Sequence, residues 1–491
     1  MKIFNYYIKL SNKTKILLVL FTLVLLFTRF YNLNGTARFT LDEASDLLRM
    51  ESYWTNKKIS LIGPISNDKT KVFSSISYYM IMPFAAAFDF TPVGPVYGMA
   101  FWGILTVILL MLITYKVNKK LLITAGILVA IWYPLVLTSR WAWNPNFVIF
   151  WAALGIASLK YKQKLGWISY LITGLSFGAM FHHHYVAIFT TAPFLLLISL
   201  PYLMKKKFKP VLLMFLGYVL PYLLFVLFDL KNPPGLFFGQ YLFSGNTPHV
   251  QKELTLQIVA GNLFRNLKVY LATFVDNSFM QVLFLISLVS LILRELKTKT
   301  YQTITWVLPS VFVIIAGVML SDFQTRYVFS SVAFLFVWLL IPRKNNINKI
   351  LVKVILFILI IGSLFSIKPQ LTIADTPPNM RVFTRASNII MDTIKAKNLK
   401  NYNVAALSSH DPAPLAEKYR YYFSTHGMTA QADSQYGISE HLFVVTTATN
   451  QELRQDQSYA MIAFEDKELK DIFPVGEGEW KVIWYGIDVQ N

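Results

Sequence analysis

Long apolar runs separated by short basic clusters set the pattern of this chain. Eleven such runs lie near residues 16–33, 96–115, 121–137, 146–159, 166–181, 186–204, 211–228, 278–293, 303–320, 327–341 and 350–366. A helix needs roughly 20 apolar residues to cross a bilayer, and runs approaching that length are longer than soluble core helices carry. The pattern predicts a polytopic all-α membrane protein with about eleven spans, several of them short.

The charges between the runs sort by side. If the N-terminus is cytoplasmic, segments 2–15, 116–120, 160–164, 205–209, 294–299 and 343–353 face the cytoplasm, with 21 Lys/Arg against one acid, Glu295. The opposite-side segments up to residue 366 hold 13 Lys/Arg against 10 acids. This asymmetry follows the positive-inside rule. The first run ends in Thr28-Arg29-Phe30-Tyr31, too bulky for signal cleavage, so it is expected to stay as an anchor. Residues 31–95 then form the first external loop, and everything after residue 366 lies outside.

Composition agrees. Of 491 residues, 55% are hydrophobic and only 15% charged, with a mean hydropathy of +0.47. Soluble domains carry about 25% charged residues, so a soluble enzyme, a disordered chain and a fibrous repeat are excluded. The absence of cysteine removes disulfides, iron–sulfur clusters, thiolate zinc and cysteine nucleophiles. The net charge of +20 reads as topology plus anionic lipid headgroups, so no nucleic-acid partner is expected.

Residues 367–491 differ in character, with 12 Lys/Arg, 15 Asp/Glu and no run long enough to span. Pro369, Pro377 and Pro378 punctuate the exit from the last run. Residues 379–397 have the period of an amphipathic helix, with Val382, Ile389, Ile390 and Ile394 on one face. Strand-like runs follow at 402–407, 441–446 and 481–487, with a helix near 414–423. The alternation predicts a small extracytoplasmic α/β domain without a motif for chemistry.

Chemistry concentrates in the first external loop. The first 366 residues contain 11 acids, and Asp42, Glu43, Asp46 and Glu51 fall within ten positions. Thr40 and Glu43 have the spacing of a capping box, so Glu43 is read either as a cap or as a member of a site. Asp46 and Glu51 read as a solvated face. Asp42 heads the group, and a carboxylate at a membrane surface can serve as general base for a hydroxyl or hold a divalent cation. Segments 41–55 and 73–88 are expected to be helices lying on the outer interface, the second broken by Pro83.

The basic tail, one span ending at Arg29, Leu41-Asp42-Glu43-Ala44, and an aromatic segment with Tyr78-Tyr79 and Pro83 resemble the GT-C superfamily of membrane glycosyltransferases. The branch it is most similar to holds the protein O-mannosyltransferases and aminoarabinose transferases. Ser139-Arg140-Trp141-Ala142-Trp143-Asn144-Pro145-Asn146, His183-His184-Tyr185 and Arg326-Tyr327 extend the likeness, which covers residues 15–345 in layout. It implies a transmembrane GT-C catalytic module over residues 1–366, with the α/β domain over 367–491. It also implies transfer of a sugar from a polyprenyl-phosphate donor to a glycan, lipid or protein acceptor on the outer side, with inversion. Asp42 matches the family's catalytic base, and Glu43 the residue that positions the acceptor or the Asp.

The leaving group in such a transfer is a phosphate, which needs cationic stabilisation. External candidates are Arg29, Lys71, Arg140, Arg265 and Arg326. Of these, Lys71, Arg140 and Arg326, together with His184, form the expected donor-phosphate set. Lys71 lies where the branch carries Glu-Lys-Pro, here replaced by Thr70-Lys71-Val72. Structural readings stand beside these: Arg29 snorkelling, Arg140 packing on Trp141 and Trp143, and Arg326 pairing with Asp322. Gly174 and Gly178 read as helix packing, and Asn144-Pro145-Asn146 as a turn.

Consecutive His182, His183 and His184 cannot all point at one ion, so no metal ligand set is convincing; no cofactor is assigned, and a divalent cation stays open. Competing functions are a lipid-linked oligosaccharide polymerase or ligase, and a lipid-linked glycan transporter. The transporter lacks support because no internal repeat and no acid within the spans is seen. The expected location is the cell membrane, in contact with its lipids.

Overall fold

The computed structural model describes residues 11–65, 71–242, 255–298, 300–372, 380–407, 416–456, 458–464, 466–476 and 478–487. Pro377, Pro378 and the basic residues before position 11 lie outside these. The chain forms two compact units: Met1–Tyr31, Lys58–Phe84 and Pro95–Leu371 make one, and Asn32–Lys57, Ala85–Gly94 and Thr372–Asn491 the other.

The first unit is a bundle of apolar helices. Among the described residues, seven are long and apolar enough to cross a membrane: Asn12–Thr36, Gly94–Val117, Tyr185–Met204, Phe208–Lys231, Ser278–Leu296, Tyr301–Met319 and Asn346–Ser366. This makes the chain an integral membrane protein. The remaining four expected runs are shorter helices. The run at 121–137 divides into Leu122–Ile131 and Tyr133–Thr138, where Trp132 is extended and Pro134 opens the second piece. The other three are Val148–Lys160, Ile168–His183 and Thr325–Leu340. In the last, every side chain from Val328 to Leu340 is buried, so this helix forms the middle of the apolar core.

Helix Ile168–His183 packs backbone to backbone on Phe208–Val219. A Cβ on Gly174 or Gly178 would collide with the carbonyls of Met214 and Tyr218. The Gly174/Gly178 spacing is thus a close-packing device.

Two elements depart from expectation. Residues Val72–Ser74 are not helical: they form strand β2, antiparallel to β1 (Ile62–Ile65), with Ile65 opposite Val72. The following helix starts only at Ile76 and runs to Ala87. A further helix, Leu256–Phe274, occupies a stretch read as loop, capped by the Thr255 hydroxyl. Gln257, Asn262, Arg265, Asn266 and Lys268 interrupt its apolar positions and hide it from a search for continuous runs.

The second unit contains a four-stranded sheet ordered β3 (Tyr402–Ala406), β4 (His441–Thr446), β6 (Lys481–Gly486), β5 (Glu468–Pro474). β3 and β4 are parallel and the other pairs antiparallel. Leu442, Val444, Ile483 and Tyr485 build its core. Helix Met380–Ala396 buries Val382, Phe383, Ala386, Ile390 and Ile394 along one stripe. The sequence pattern finds this helix and three strands but misses β5, an edge strand whose residues are mostly exposed. It also misses that helix Leu41–Thr55 belongs to this unit.

Candidate functional site

The acidic segment forms the expected helix, Leu41–Thr55. Glu43 is buried at its N-terminus, and its carboxylate accepts from the Thr40 backbone N–H at 2.6 Å and the Thr40 hydroxyl at 2.5 Å. This is the glutamate half of a capping box. Asp42, one residue earlier, is only half-buried. Asp46 lies 3.7 Å from Arg49 one turn on, with its side chain largely buried instead of on the expected solvated face.

In the first unit, three of the four expected phosphate ligands gather around a set of rings. Arg326 opens helix Thr325–Leu340, its guanidinium carbon 5.0 Å from the ring centre of Trp143 and 5.3 Å from that of Tyr327. Trp143 stacks on Trp141 at 4.4 Å. The other neighbour of Tyr327 is His184, with ring centres 5.0 Å apart.

His184 sits at the junction of Ile168–His183 and the helix that follows. Burial, then the positive charges of Arg326 and Lys71, hold its imidazole well below the usual pKa, so it is neutral at pH 7. Its Nδ1 is buried without a hydrogen-bond partner. Lys71 arrives through the β1–β2 hairpin. Tyr185 donates to the Val72 carbonyl and packs on Phe73 at 5.0 Å, fastening the strand beside His184.

Arg326 makes no hydrogen bond or ion pair among the described residues. The expected local partner, Asp322, instead accepts from Gln324. A guanidinium held by ring faces keeps its N–H groups available for an anion. Two cations and a neutral imidazole then form a cluster suited to phosphate oxygens.

The remaining cations are differently employed. Arg140 is buried, and its guanidinium donates to the carbonyls of Thr28 and Arg29, each at 3.2 Å, and of Tyr31 at 2.8 Å. It caps the C-terminal end of the first helix, and burial lowers its pKa to about 10. Arg29 donates to the Val129 carbonyl at 3.0 Å and to that of Ala130, tying the same helix end to the broken helix. Arg265 caps a turn through the carbonyls of Ser321 at 2.7 Å and Leu320 at 2.9 Å.

The three histidines diverge. His182 stacks on Phe225, and His183 accepts from the Trp151 indole at 2.9 Å, leaving only His184 in the cation cluster. No group of three potential metal ligands exists among the described residues. Reading the sequence for charge missed Trp143, Tyr327 and Phe73 as the rings that frame the cluster. The signal available was that an aromatic residue adjoins or closely follows each cation or histidine.

The sequence matches no family model and no curated protein. Among solved structures, ArnT from Cupriavidus metallidurans in the apo state is 12% identical over 97% of this chain and 99% of that one, with a TM-score of 0.60. The same protein bound to undecaprenyl phosphate is 11% identical over 96% and 98% of the two chains, with a TM-score of 0.57. The chain has the GT-C fold. An oligosaccharyltransferase from Archaeoglobus fulgidus is also similar, at 13% identity, 92% of this chain, 67% of that one and a TM-score of 0.45.

Proposed function

We propose that this GT-C protein is an inverting glycosyltransferase that moves a sugar from a polyprenyl-phosphate donor to an acceptor hydroxyl on the extracytoplasmic side. The observation that carries this reading is the Lys71–His184–Arg326 cluster, in a fold shared with a protein crystallised with undecaprenyl phosphate.

Arg326 and Lys71 compensate the charge that develops on the departing phosphate, and His184 contributes its Nε2 to a phosphate oxygen or hydroxyl. Asp42 is the base: it takes the proton from the acceptor hydroxyl as the oxygen attacks the anomeric carbon and the carbon–phosphate oxygen bond breaks. One displacement inverts the anomeric centre. Glu43 supports Asp42 by capping its helix. Arg140 is assigned to the structure of the first helix end instead of to the phosphate.

The distribution of basic residues supports a cytoplasmic N-terminus. The test is transfer by purified protein from a defined undecaprenyl-phosphate sugar, with product anomeric configuration read by NMR. Inversion, lost in Asp42→Asn, supports the reading. Retention, or full activity in Asp42→Asn, overturns it.

A further inference from the structure

Helix Leu41–Thr55 has 15 residues, and an isolated helix of that length is marginal in water. Its position therefore depends on what it packs against, and within its own unit those partners come from Phe90 and from the far end of the chain. Ala37 and Phe39, leading into the helix, are 0% and 2% exposed. The Ala37 carbonyl accepts from the Met380 N–H at 3.1 Å, and the Asn32 side-chain oxygen accepts from Arg381 at 3.3 Å.

The Phe39 ring lies 5.1 Å from that of Phe383 and 6.3 Å from that of Tyr421. Phe383 is in turn held by Tyr419 at 5.0 Å and Tyr422 at 5.4 Å, both on helix Glu417–Thr425. Tyr421 reaches both ends of the acidic helix. Its ring faces Phe39 ahead of the N-terminus, and its hydroxyl donates at 2.8 Å to the carbonyl of Phe90, whose ring packs on Trp54 near the C-terminus.

We propose that Phe383 and Tyr421 are positioning residues for the Asp42 carboxylate, so that the C-terminal segment is a working part of the transferase. The inference rests on the reading of Asp42 as the base. A general base acts only within hydrogen-bond reach of its proton, and a misplacement of about 1 Å costs roughly 10²-fold in rate. The aromatic clamp holds Phe39, three residues before Asp42, without contributing a group to the chemistry.

The experiment compares Phe383→Ala, Phe383→Leu, Tyr421→Phe and Asp42→Asn in the full-length protein in detergent or nanodiscs. For Phe383→Ala the expected result is a kcat lower by roughly 10²-fold, with donor KM and undecaprenyl phosphate binding within about twofold of the parent. Phe383→Leu restores most of the rate, and Tyr421→Phe, which keeps the ring but loses the Phe90 bond, falls between. Combining Phe383→Ala with Asp42→Asn gives no further loss beyond Asp42→Asn alone, because the clamp acts through that carboxylate.

An unchanged kcat in folded Phe383→Ala, or an equal loss of donor binding, overturns the proposal. Full activity in Asp42→Asn instead sinks the base assignment, a distinct outcome. Should Phe383→Ala not fold, Phe383→Leu and Tyr421→Phe decide: parental kcat in both overturns the proposal, and a kcat defect at unchanged donor KM supports it.

Discussion

The guanidinium of Arg326 rests against the indole of Trp143, its central carbon 5.0 Å from the ring centre, and forms no ion pair among the described residues. A cation on an aromatic face is oriented without spending its hydrogen-bond donors, which leaves them available to an anion.

Arg326→Ala is expected to raise the donor KM and to lower kcat by about tenfold or more, because the phosphate gains charge in the transition state. Arg326→Lys keeps the charge but loses the planar fork, and so recovers only part. Trp143→Ala falls between the two. Kinetics with a defined polyprenyl-phosphate donor check all three, and unchanged constants in Arg326→Ala remove this residue from the phosphate site.

Asp42→Asn should abolish transfer, a lost general base costing about 10²–10⁴-fold. Glu43→Ala is expected to cost about 1 kcal/mol of stability through the lost cap on Thr40, with a smaller fall in rate than Asp42→Asn. Thermal unfolding and turnover measured on the same preparations separate the two roles. A Glu43→Ala enzyme of parental stability with no activity would give Glu43 a chemical role in place of the cap.

Arg140→Met should lower the thermal midpoint while leaving donor KM within about twofold. Three carbonyls at the end of the first helix lose a charged donor, a change worth about 2 kcal/mol. The opposite pattern, parental stability with weakened donor binding, would return Arg140 to the phosphate site.

Glu295, the one acid among the basic segments assigned to the cytoplasm, is buried and accepts from Arg343 at 2.7 Å and from the Trp338 indole at 3.0 Å. Removing one partner of a buried pair costs about 3–5 kcal/mol, whereas replacing both by apolar residues can be neutral. Glu295→Met alone should therefore unfold at markedly lower temperature, and Glu295→Met with Arg343→Met should recover much of the loss. A double variant less stable than Glu295→Met alone would contradict this.

His441 in β4 is buried, and burial lowers its pKa from the ordinary 6.5, against an opposing effect of Glu440. The unfolded chain then binds the proton more readily than the folded one. Stability is unaffected well above pH 6.5 and declines as pH falls through that value towards the folded pKa. The thermal midpoint of the parent should drop more between pH 7.5 and pH 5.5 than that of His441→Gln. Equal drops would show that other groups carry the acid sensitivity.

Local patterns determined much of this protein. Runs of apolar residues located the membrane helices, the Thr40–Glu43 spacing announced a capping box, and alternation in the last quarter marked β3, β4 and β6. These features depend on residues a few positions apart, so the chain displays them directly. Tertiary structure alone decided which cation does what: Arg140, Arg29 and Arg265 are drawn to carbonyls at helix or turn ends, while Arg326 is held by rings. It also decided that Val72–Ser74 pairs as a strand, and that Phe39, ahead of Asp42, packs on Phe383 and Tyr421. Those outcomes follow from the need to satisfy buried polar groups and to pack rings at close range. The partners are distant in the chain and leave no periodic trace near either residue.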